Sequence, residues 1–167
     1  MANLTILGID PGLASLGWGV IRVEGHKLHL VQYGILSTPP SVAMPHRLRS
    51  IFLGVRQLMR IHGPDEVAFE ELFFSKNVTT GMMVSAARGA ALVAVAETND
   101  MLYEYTPMQV KQTVAGYGKA DKRQVQNMVK ILLSMSETPR PDDAADALAV
   151  AITHAHTGVA KDRHIMK

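Results

Sequence analysis

A mostly apolar run that ends on a carboxylate constrains the fold of this 167-residue chain more than any other stretch. The run extends from Leu4 to Ile9 and is partly β-branched, which predicts one buried strand. Asp10 follows it, and Pro11 and Gly12 then predict a turn. A buried carboxylate is costly unless a cation lies beside it. Asp10 is therefore either a structural accident or the first ligand of a metal site.

Length and composition predict a globular protein with one folded domain. Hydrophobic residues make up 47% of the chain, and there is no Cys, which excludes disulfides and thiolate metal ligands. We expect one domain over residues 1–157 and a flexible tail over residues 158–167. No apolar stretch free of charge reaches membrane-spanning length, and the first apolar run is too short for a signal peptide. We therefore expect a cytoplasmic protein that does not enter a membrane.

The order of predicted elements indicates an α/β fold. Strands are predicted at Leu4 to Ile9, Gly17 to Val23, Leu28 to Leu36, Glu66 to Phe69 and Met101 to Tyr105. Helices are predicted at Arg47 to Ile61, Thr79 to Glu97, Met108 to Val114, Lys122 to Leu133 and Asp143 to His154. A helical crossover after the third strand predicts a five-stranded mixed sheet in the order 3-2-1-4-5, flanked by helices. Asp10 and Glu70 then end adjacent parallel strands, about 4.8 Å apart.

Two more acids begin the last predicted helix. Asp143 and Asp146 are three residues apart, so they share a helix face. Small alanines between and beside them would allow this helix end to approach the sheet closely. The alternative is a capping role, because acids at a helix start suit its dipole. Asp142 is a further candidate, either as a ligand or as a solvated cap.

The charge and chemistry of these acids favour a site for hard cations. Asp10, Glu70, Asp143 and Asp146 carry four negative charges, which two Mg²⁺ ions would balance, and oxygen ligands suit Mg²⁺ or Mn²⁺. Two such ions clamp the attacking and leaving oxygens of a phosphodiester. With these four acids in one site, the rest of the chain carries 17 basic and 11 acidic residues, about +6, which favours a polyanionic partner. The alternative is a charge that serves solubility alone.

A basic segment is predicted beside the acids. Between Pro107 and Leu133 there are five basic residues and one acid. The basic residues are Lys111, Lys119, Lys122, Arg123 and Lys130. Such charge would hold phosphates and attract DNA, unless it is only a solvated helix face.

The motifs, in order, resemble the RuvC family of crossover junction endodeoxyribonucleases, the Holliday junction resolvases. The resemblance covers roughly residues 4–156 and rests on Gly8 to Gly12, Ala68 to Phe73, Gln109 to Val114 and Asp143 to Ala149. It implies a ribonuclease H-like fold and a homodimer that cuts two strands of a four-way DNA junction symmetrically, in recombination and repair. It also implies Mg²⁺ dependence, with two ions per site and Mn²⁺ able to substitute, products with 5′-phosphate and 3′-hydroxyl ends, and the RuvA–RuvB branch-migration complex as a partner.

The resemblance also implies roles for individual residues. By motif position Asp10, Glu70, Asp143 and Asp146 are the catalytic metal ligands, and the register favours Asp143 over Asp142. Phe73 matches a base-stacking position, while Lys111 and Lys122 match positions that bind the junction. Lys76 and Asn77 lie in the same loop as Phe73, and with Lys119 and Arg123 they complete the predicted DNA contacts. Glu71 receives no role, and Phe74 is more simply placed under the loop.

Three interpretations stay open at the level of sequence. A catalytically silent junction-binding protein and an actin-like ATPase lobe compete with the nuclease, since both would use parts of the same sequence. The nearly all-apolar helix from Thr79 to Glu97 needs cover on two sides, which predicts a dimer seam or a helix buried within one chain. His154 and His156 are interpreted as residues that favour the carboxyl end of the last helix.

Overall fold

The computed structural model describes residues 3–72 and 78–167, and its core is a five-stranded mixed sheet in the order β3-β2-β1-β4-β5. The strands are β1 (Leu4–Asp10), β2 (Ser15–Glu24), β3 (Lys27–Ser37), β4 (Glu66–Glu70) and β5 (Leu102–Tyr105). The helices are α1 (Met44–His62), α2 (Val78–Ala96), α3 (Pro107–Ala115), α4 (Lys122–Leu132) and α5 (Asp142–Thr157). The predicted sheet order and flanking helices are confirmed.

Alternation along the strands divides the core into two layers. In β1, Leu7 and Ile9 contribute to a cluster that α1 and α2 complete, whereas Ile6 contributes to a cluster completed by α3, α4 and α5. Successive side chains of a strand point to opposite faces. Asp10 therefore shares the face of Ile6, on which α5 lies.

The register of the neighbouring strands brings two predicted site residues together. β1 and β4 are parallel, with Ile9 paired to Phe69. The next residues, Asp10 and Glu70, therefore lie side by side at the ends of adjacent strands, as predicted. β1 and β2 are antiparallel, with Asp10 paired to Gly17. The site thus begins at the carboxyl end of two parallel strands.

Glycines in β1 and β2 allow α5 to lie directly on the sheet. A Cβ on Gly8 would overlap the backbone oxygen of Ala147, and a Cβ on Gly17 would overlap that of Asp143. A Cβ on Gly19 would instead overlap the side chain of Leu148. Because no side chain separates them, helix backbone and strand backbone are in contact, and the first turn of α5 reaches the end of β1.

Helix α2 covers the opposite face of the sheet and carries much apolar surface outward. By length and mean hydropathy it is the one helix in the described ranges that could cross a membrane, but a core helix of a folded protein passes the same test. Ala87, Ala91 and Val95 are buried in the core, and Arg88 pairs with Glu104 of β5 at 2.7 Å between its terminal nitrogen and Oε2. This helix is therefore part of the folded layer over the sheet.

The segment after α5 differs from the predicted flexible tail. Gly158–His164 forms a 3-10 helix, and Ile165 makes a β-bridge with Tyr103. Lys161 bonds to Glu66, and the His164 ring stacks on Tyr105 with centroids 4.6 Å apart. A polar sequence near a chain end is typical of fraying, but its partners lie far away in the sequence and no local pattern reveals them.

Candidate active site

Three carboxylates from two elements meet at the end of β1. Carboxylate oxygens of Asp10, Asp143 and Asp146 all lie within 4.8 Å of one another. Asp10 is the last residue of β1, and the other two lie in the first turns of α5. Their spacing follows from the seat of α5 on Gly17, which places the backbone of Asp143 against the strand that pairs with Asp10.

Glu70 completes the group from the neighbouring strand. It is in hydrogen-bond contact with Asp10, and burial together with Glu70, Asp146 and Asp143 raises the pKa of Asp10 to about 9. Burial also raises the pKa of Glu70, although its bond to Asp10 and the positive charges of Lys122 and Lys111 oppose this. Burial and the neighbouring carboxylates therefore favour a proton shared between Asp10 and Glu70.

Lys122 supplies positive charge to the same group. Its Nζ lies 2.9 Å from Oδ2 of Asp146 and 3.5 Å from Oδ2 of Asp142. Burial raises the pKa of Asp146, and the hydrogen bond from Lys122 acts against that effect. One lysine thus offsets part of the repulsion that four neighbouring acids create.

Asp142 lies at the edge of the group rather than inside it. Its Oδ1 accepts hydrogen bonds from Gln126 at 3.0 Å and from Arg140 at 2.8 Å. Gln126, Lys122 and Arg140 together hold the pKa of Asp142 below its usual value. The helix has Pro141 at its N-cap and no side-chain cap bond. No side chain therefore caps α5 by a hydrogen bond, although Asp142 and Asp143 lie in its first turn, where the helix dipole favours acids.

The donor set fits divalent magnesium or manganese. All of the grouped ligands are carboxylate oxygens, the type that hard cations prefer. Their repulsion is also only partly relieved, because the raised pKa of Asp10 reports a cost that a bound cation would remove. The four acids are thus suited to hold such ions.

A cleft of about 210 Å³ opens beside the acids. Its lining includes Glu70 and Asp146, together with Lys111 of α3 and Lys122 of α4. Capping boxes at Thr106 and Asp121 fix the starts of α3 and α4, and Lys122 is the first residue of α4. The cleft pairs acids that can hold cations with cations that can hold a phosphate.

The other predicted DNA contacts have different places. Lys119 borders a separate cavity formed with Met108 and Gln112, and Arg123 is an exposed residue in the first turn of α4. Neither is among the described residues that line the cleft. Phe73, Lys76 and Asn77, with Phe74, lie outside the described residues.

Gly17 is a residue on which the site depends, although it is not among the predicted site residues. Gly17 and Gly19 alternate with Trp18 in β2, so both glycines face α5. Two glycines on one face of a strand indicate a close approach by another backbone, and this spacing was available in the sequence.

Comparison with known families places the site in context. The family model described as crossover junction endodeoxyribonuclease RuvC matches residues 6–154. The chain is 54% identical over 155 residues to the crossover junction endodeoxyribonuclease RuvC of Alkaliphilus metalliredigens, covering 93% of this chain and 94% of that protein. It is also 54% identical over 165 residues to the RuvC of Rubrobacter xylanophilus, covering 95% and 92%.

Solved structures give the same result. The chain matches Thermus thermophilus RuvC with a TM-score of 0.87 and 39% identity, over 97% of this chain and 98% of that one. It matches Thermus thermophilus RuvC in complex with Holliday junction substrate with a TM-score of 0.86 and 41% identity, over 91% and 93%. The yeast mitochondrial resolvase Ydc2, at 13% identity and a TM-score of 0.65, shares the fold. The chain therefore belongs to the RuvC family of crossover junction endodeoxyribonucleases.

Proposed function

We propose that this protein resolves four-way DNA junctions by metal-dependent hydrolysis of phosphodiester bonds. The observation that carries the proposal is the meeting of Asp10, Asp143 and Asp146 within 4.8 Å, with Glu70 in contact with Asp10. These acids come from β1, β4 and α5, so their convergence is a property of the folded chain. Family membership and the resemblance to a RuvC solved with Holliday junction substrate support the choice of DNA.

Asp10, Glu70, Asp143 and Asp146 would hold two Mg²⁺ ions, for which Mn²⁺ can substitute. Such ions, when bound, promote deprotonation of water and neutralise the departing oxygen. The raised pKa of Asp10 and of Glu70 means that cation binding would release the proton that these carboxyls share. The resulting hydrolysis leaves 5′-phosphate and 3′-hydroxyl ends and needs no covalent intermediate with the protein.

Lys111 and Lys122 would position the scissile phosphate. Both line the cleft with Glu70 and Asp146, and either ammonium group can offset negative charge that develops on the phosphate. Lys119, Arg123, Phe73, Lys76 and Asn77 extend the proposed DNA contacts away from the cleft. Phosphate contacts of this kind give affinity that falls with salt.

A homodimer through α2 would supply one active site for each of two cut strands. Its support is the apolar surface that α2 carries outward, where Met82 is 68% exposed and Val93 is 60% exposed. Leu92, in contrast, is partly buried in the core of its own chain. We further propose that the dimer acts in the cytoplasm with the RuvA–RuvB branch-migration complex.

The experiment is cleavage of a synthetic four-way junction whose four strands carry distinct labels. We expect paired nicks at symmetric positions in the presence of Mg²⁺ or Mn²⁺. We expect none when a chelator removes the divalent ions. A linear duplex of the same sequence is the matched substrate control. Binding of the junction without any nick, in either metal, would contradict the proposal and favour the catalytically silent alternative.

Replacement of the lysines tests the second part of the proposal. We expect Lys111→Ala and Lys122→Ala to reduce cleavage by about 10²-fold or more, as removal of one transition-state donor does elsewhere. Lys130→Ala, on α4 but not among the described residues of the cleft, is the matched control. Parental rates in both cleft variants would remove these lysines from the mechanism.

A further inference from the structure

A second group of charged side chains lies at the other end of β4, away from the acids. Glu66 begins β4, and its Oε2 lies 2.7 Å from Nε2 of His154 on α5. Nδ1 of His154 lies 2.8 Å from the hydroxyl oxygen of Tyr105 on β5. The His154 side chain is 0% exposed and that of Glu66 is 9% exposed. This buried group links α5 to both of the last two strands.

The chemistry of the group fixes the direction of each hydrogen bond. An ionised Glu66 can only accept, so His154 donates through Nε2, and its Nδ1 then accepts from the Tyr105 hydroxyl. Burial lowers the pKa of His154, which keeps the ring neutral. Burial acts to raise the pKa of Glu66, but hydrogen bonds from Lys161 and His154 bring it below the usual value. Every polar atom in this chain of contacts has a partner of the right kind.

Glu66 on β4 and His154 on α5 lie at a fixed distance from the acids of the active site on the same two elements. Glu66 and Glu70 are the two ends of β4, about 13 Å apart at strand spacing. Asp146 and His154 are eight residues apart on α5, about 12 Å along the helix. α5 runs opposite to β4, so the carboxylates meet at one end of the contact and Glu66 meets His154 at the other.

Small apolar side chains also lie in the layer between α5 and β4. Ala68 of β4 and Ala149 of α5 belong to the same buried cluster, and apolar contact has no direction. The glycines that seat α5 belong to β1 and β2, on one side of the helix. Directional hydrogen bonds on the β4 side are supplied by Glu66 and His154.

We infer that Glu66 and His154 are positioning residues, which set the depth of α5 along β4 and thereby hold Asp146 in register with Glu70. The inference rests on the proposed function, because it assigns these acids to the metal site. It explains why a buried ionised group is kept far from the cleft, where an apolar pair of similar volume would pack as well.

The test compares His154→Leu with the conservative variant Glu66→Gln, which keeps an acceptor for Nε2. Divalent affinity is measured with Mn²⁺ alone on the DNA-free protein, well below its melting temperature. For His154→Leu we expect Mn²⁺ affinity to fall about tenfold, as loss of a group that orients ligands typically does. We expect kcat on the junction to fall by about as much with KM nearly unchanged, and Glu66→Gln to stay within about twofold of the parent.

Val55→Ala is the matched control for lost stability. Val55 of α1 is fully buried in the other core layer, so its truncation destabilises the fold without touching the contact between α5 and β4. We expect this control to keep parental Mn²⁺ affinity. Should His154→Leu fail to fold, Tyr105→Phe removes a single hydrogen bond from His154. We expect this variant to lower Mn²⁺ affinity by less than the tenfold expected for His154→Leu.

Parental Mn²⁺ affinity in His154→Leu, or in Tyr105→Phe where His154→Leu does not fold, would overturn the inference and leave Glu66 and His154 as stabilising residues only. Equal losses in Val55→Ala would overturn it as well. The readout without DNA separates this result from the proposed function. A parent protein that binds Mn²⁺ but cuts no junction contradicts the nuclease, while the affinity series still tests the pair.

Discussion

Three carboxylates surround Asp10, and each of them, together with burial, favours its protonated form. Lys122 relieves Asp146 more directly than it relieves Asp10, since its Nζ lies 2.9 Å from Oδ2 of Asp146. The metal-free site therefore keeps a proton on Asp10 at a pH where ordinary carboxyls are ionised. Cation binding has to displace that proton, which makes Asp10 the residue at which metal, proton and fold are coupled.

Asp10→Asn should separate the two roles of this residue. We expect cleavage to fall at least about 10³-fold, because a metal ligand contributes several kcal/mol to the transition state. We also expect the metal-free variant to be more stable by at least about 1 kcal/mol, a rise of about 3 °C in melting temperature. Cleavage assays and calorimetry in chelator measure these effects. A variant less stable than the parent would show that the acids do not repel one another.

The pH dependence of this difference follows from the direction of the shift. The pKa of Asp10 is raised in the folded protein to about 9 from its ordinary value near 3.8. The folded state therefore holds the proton more tightly, and its stability falls as the pH rises between these values. We expect the melting temperature of Asp10→Asn to exceed that of the parent by little near pH 4 and by increasing amounts toward pH 9. Parallel curves at all pH values would contradict the shift.

Helix α5 is the element on which the site depends. Its backbone lies against Gly8 and Gly17 without an intervening side-chain layer, and this contact brings Asp143 to the end of β1. A longer side chain anywhere along this seat would lift the helix from the sheet. Close packing transmits such a displacement directly, because a protein interior has few voids to absorb it.

Gly17→Ala tests that seat. A Cβ at this position would overlap the backbone oxygen of Asp143, so we expect a loss of about 1–3 kcal/mol in stability from overpacking. We also expect Mn²⁺ affinity to fall, because Asp143 is one of the proposed metal ligands. Gly34→Ala is the matched control in β3, where the added Cβ meets the Trp18 ring at 3.0 Å. We expect the control to lose some stability and to keep its metal affinity. Equal metal affinity in both variants would show that α5 tolerates the displacement.

Much of this arrangement was predictable from the sequence, and the reasons are physical. A turn after Asp10 and a helical crossover before Glu70 leave few allowed topologies, so the sheet order and the adjacency of these acids were confirmed. Three features were not predicted: the docking of the tail through Lys161, the burial of His154 with Glu66, and the role of Gly17. Each of the first two depends on a polar contact between residues far apart in sequence, which periodicity does not reveal. His154 does lie in the last turn of α5 as interpreted, but its side chain is buried against Glu66.

At the scale of the whole molecule, the two faces of the sheet have different tasks. The face with α3, α4 and α5 carries the acids and the cleft, whereas α2 on the other face presents apolar side chains outward. A patch of this kind on one helix is typical of an interface. Two copies joined there would direct their acid sites away from the seam that joins them.

Val93→Asp tests the proposed seam. Val93 is 60% exposed on α2, so a charge there would be buried only on dimer formation, and we expect monomers by analytical ultracentrifugation with an unchanged fold. Ile131→Asp is the matched control, since Ile131 is 64% exposed on α4 and a helix position of similar exposure. We expect it to remain dimeric. An unchanged dimer in Val93→Asp would place the interface elsewhere.

The acids of the site belong to β1, β4 and α5, and long intervals of chain separate them. Ions held between these elements would bind the native fold and stabilise it, because an unfolded chain does not bring the same oxygens together. At a free concentration one hundred times the dissociation constant, such an ion adds about 2.7 kcal/mol to the free energy of unfolding. The thermal tolerance of this protein should then follow the supply of divalent ions in its surroundings, and starvation for them should weaken the whole fold along with the reaction.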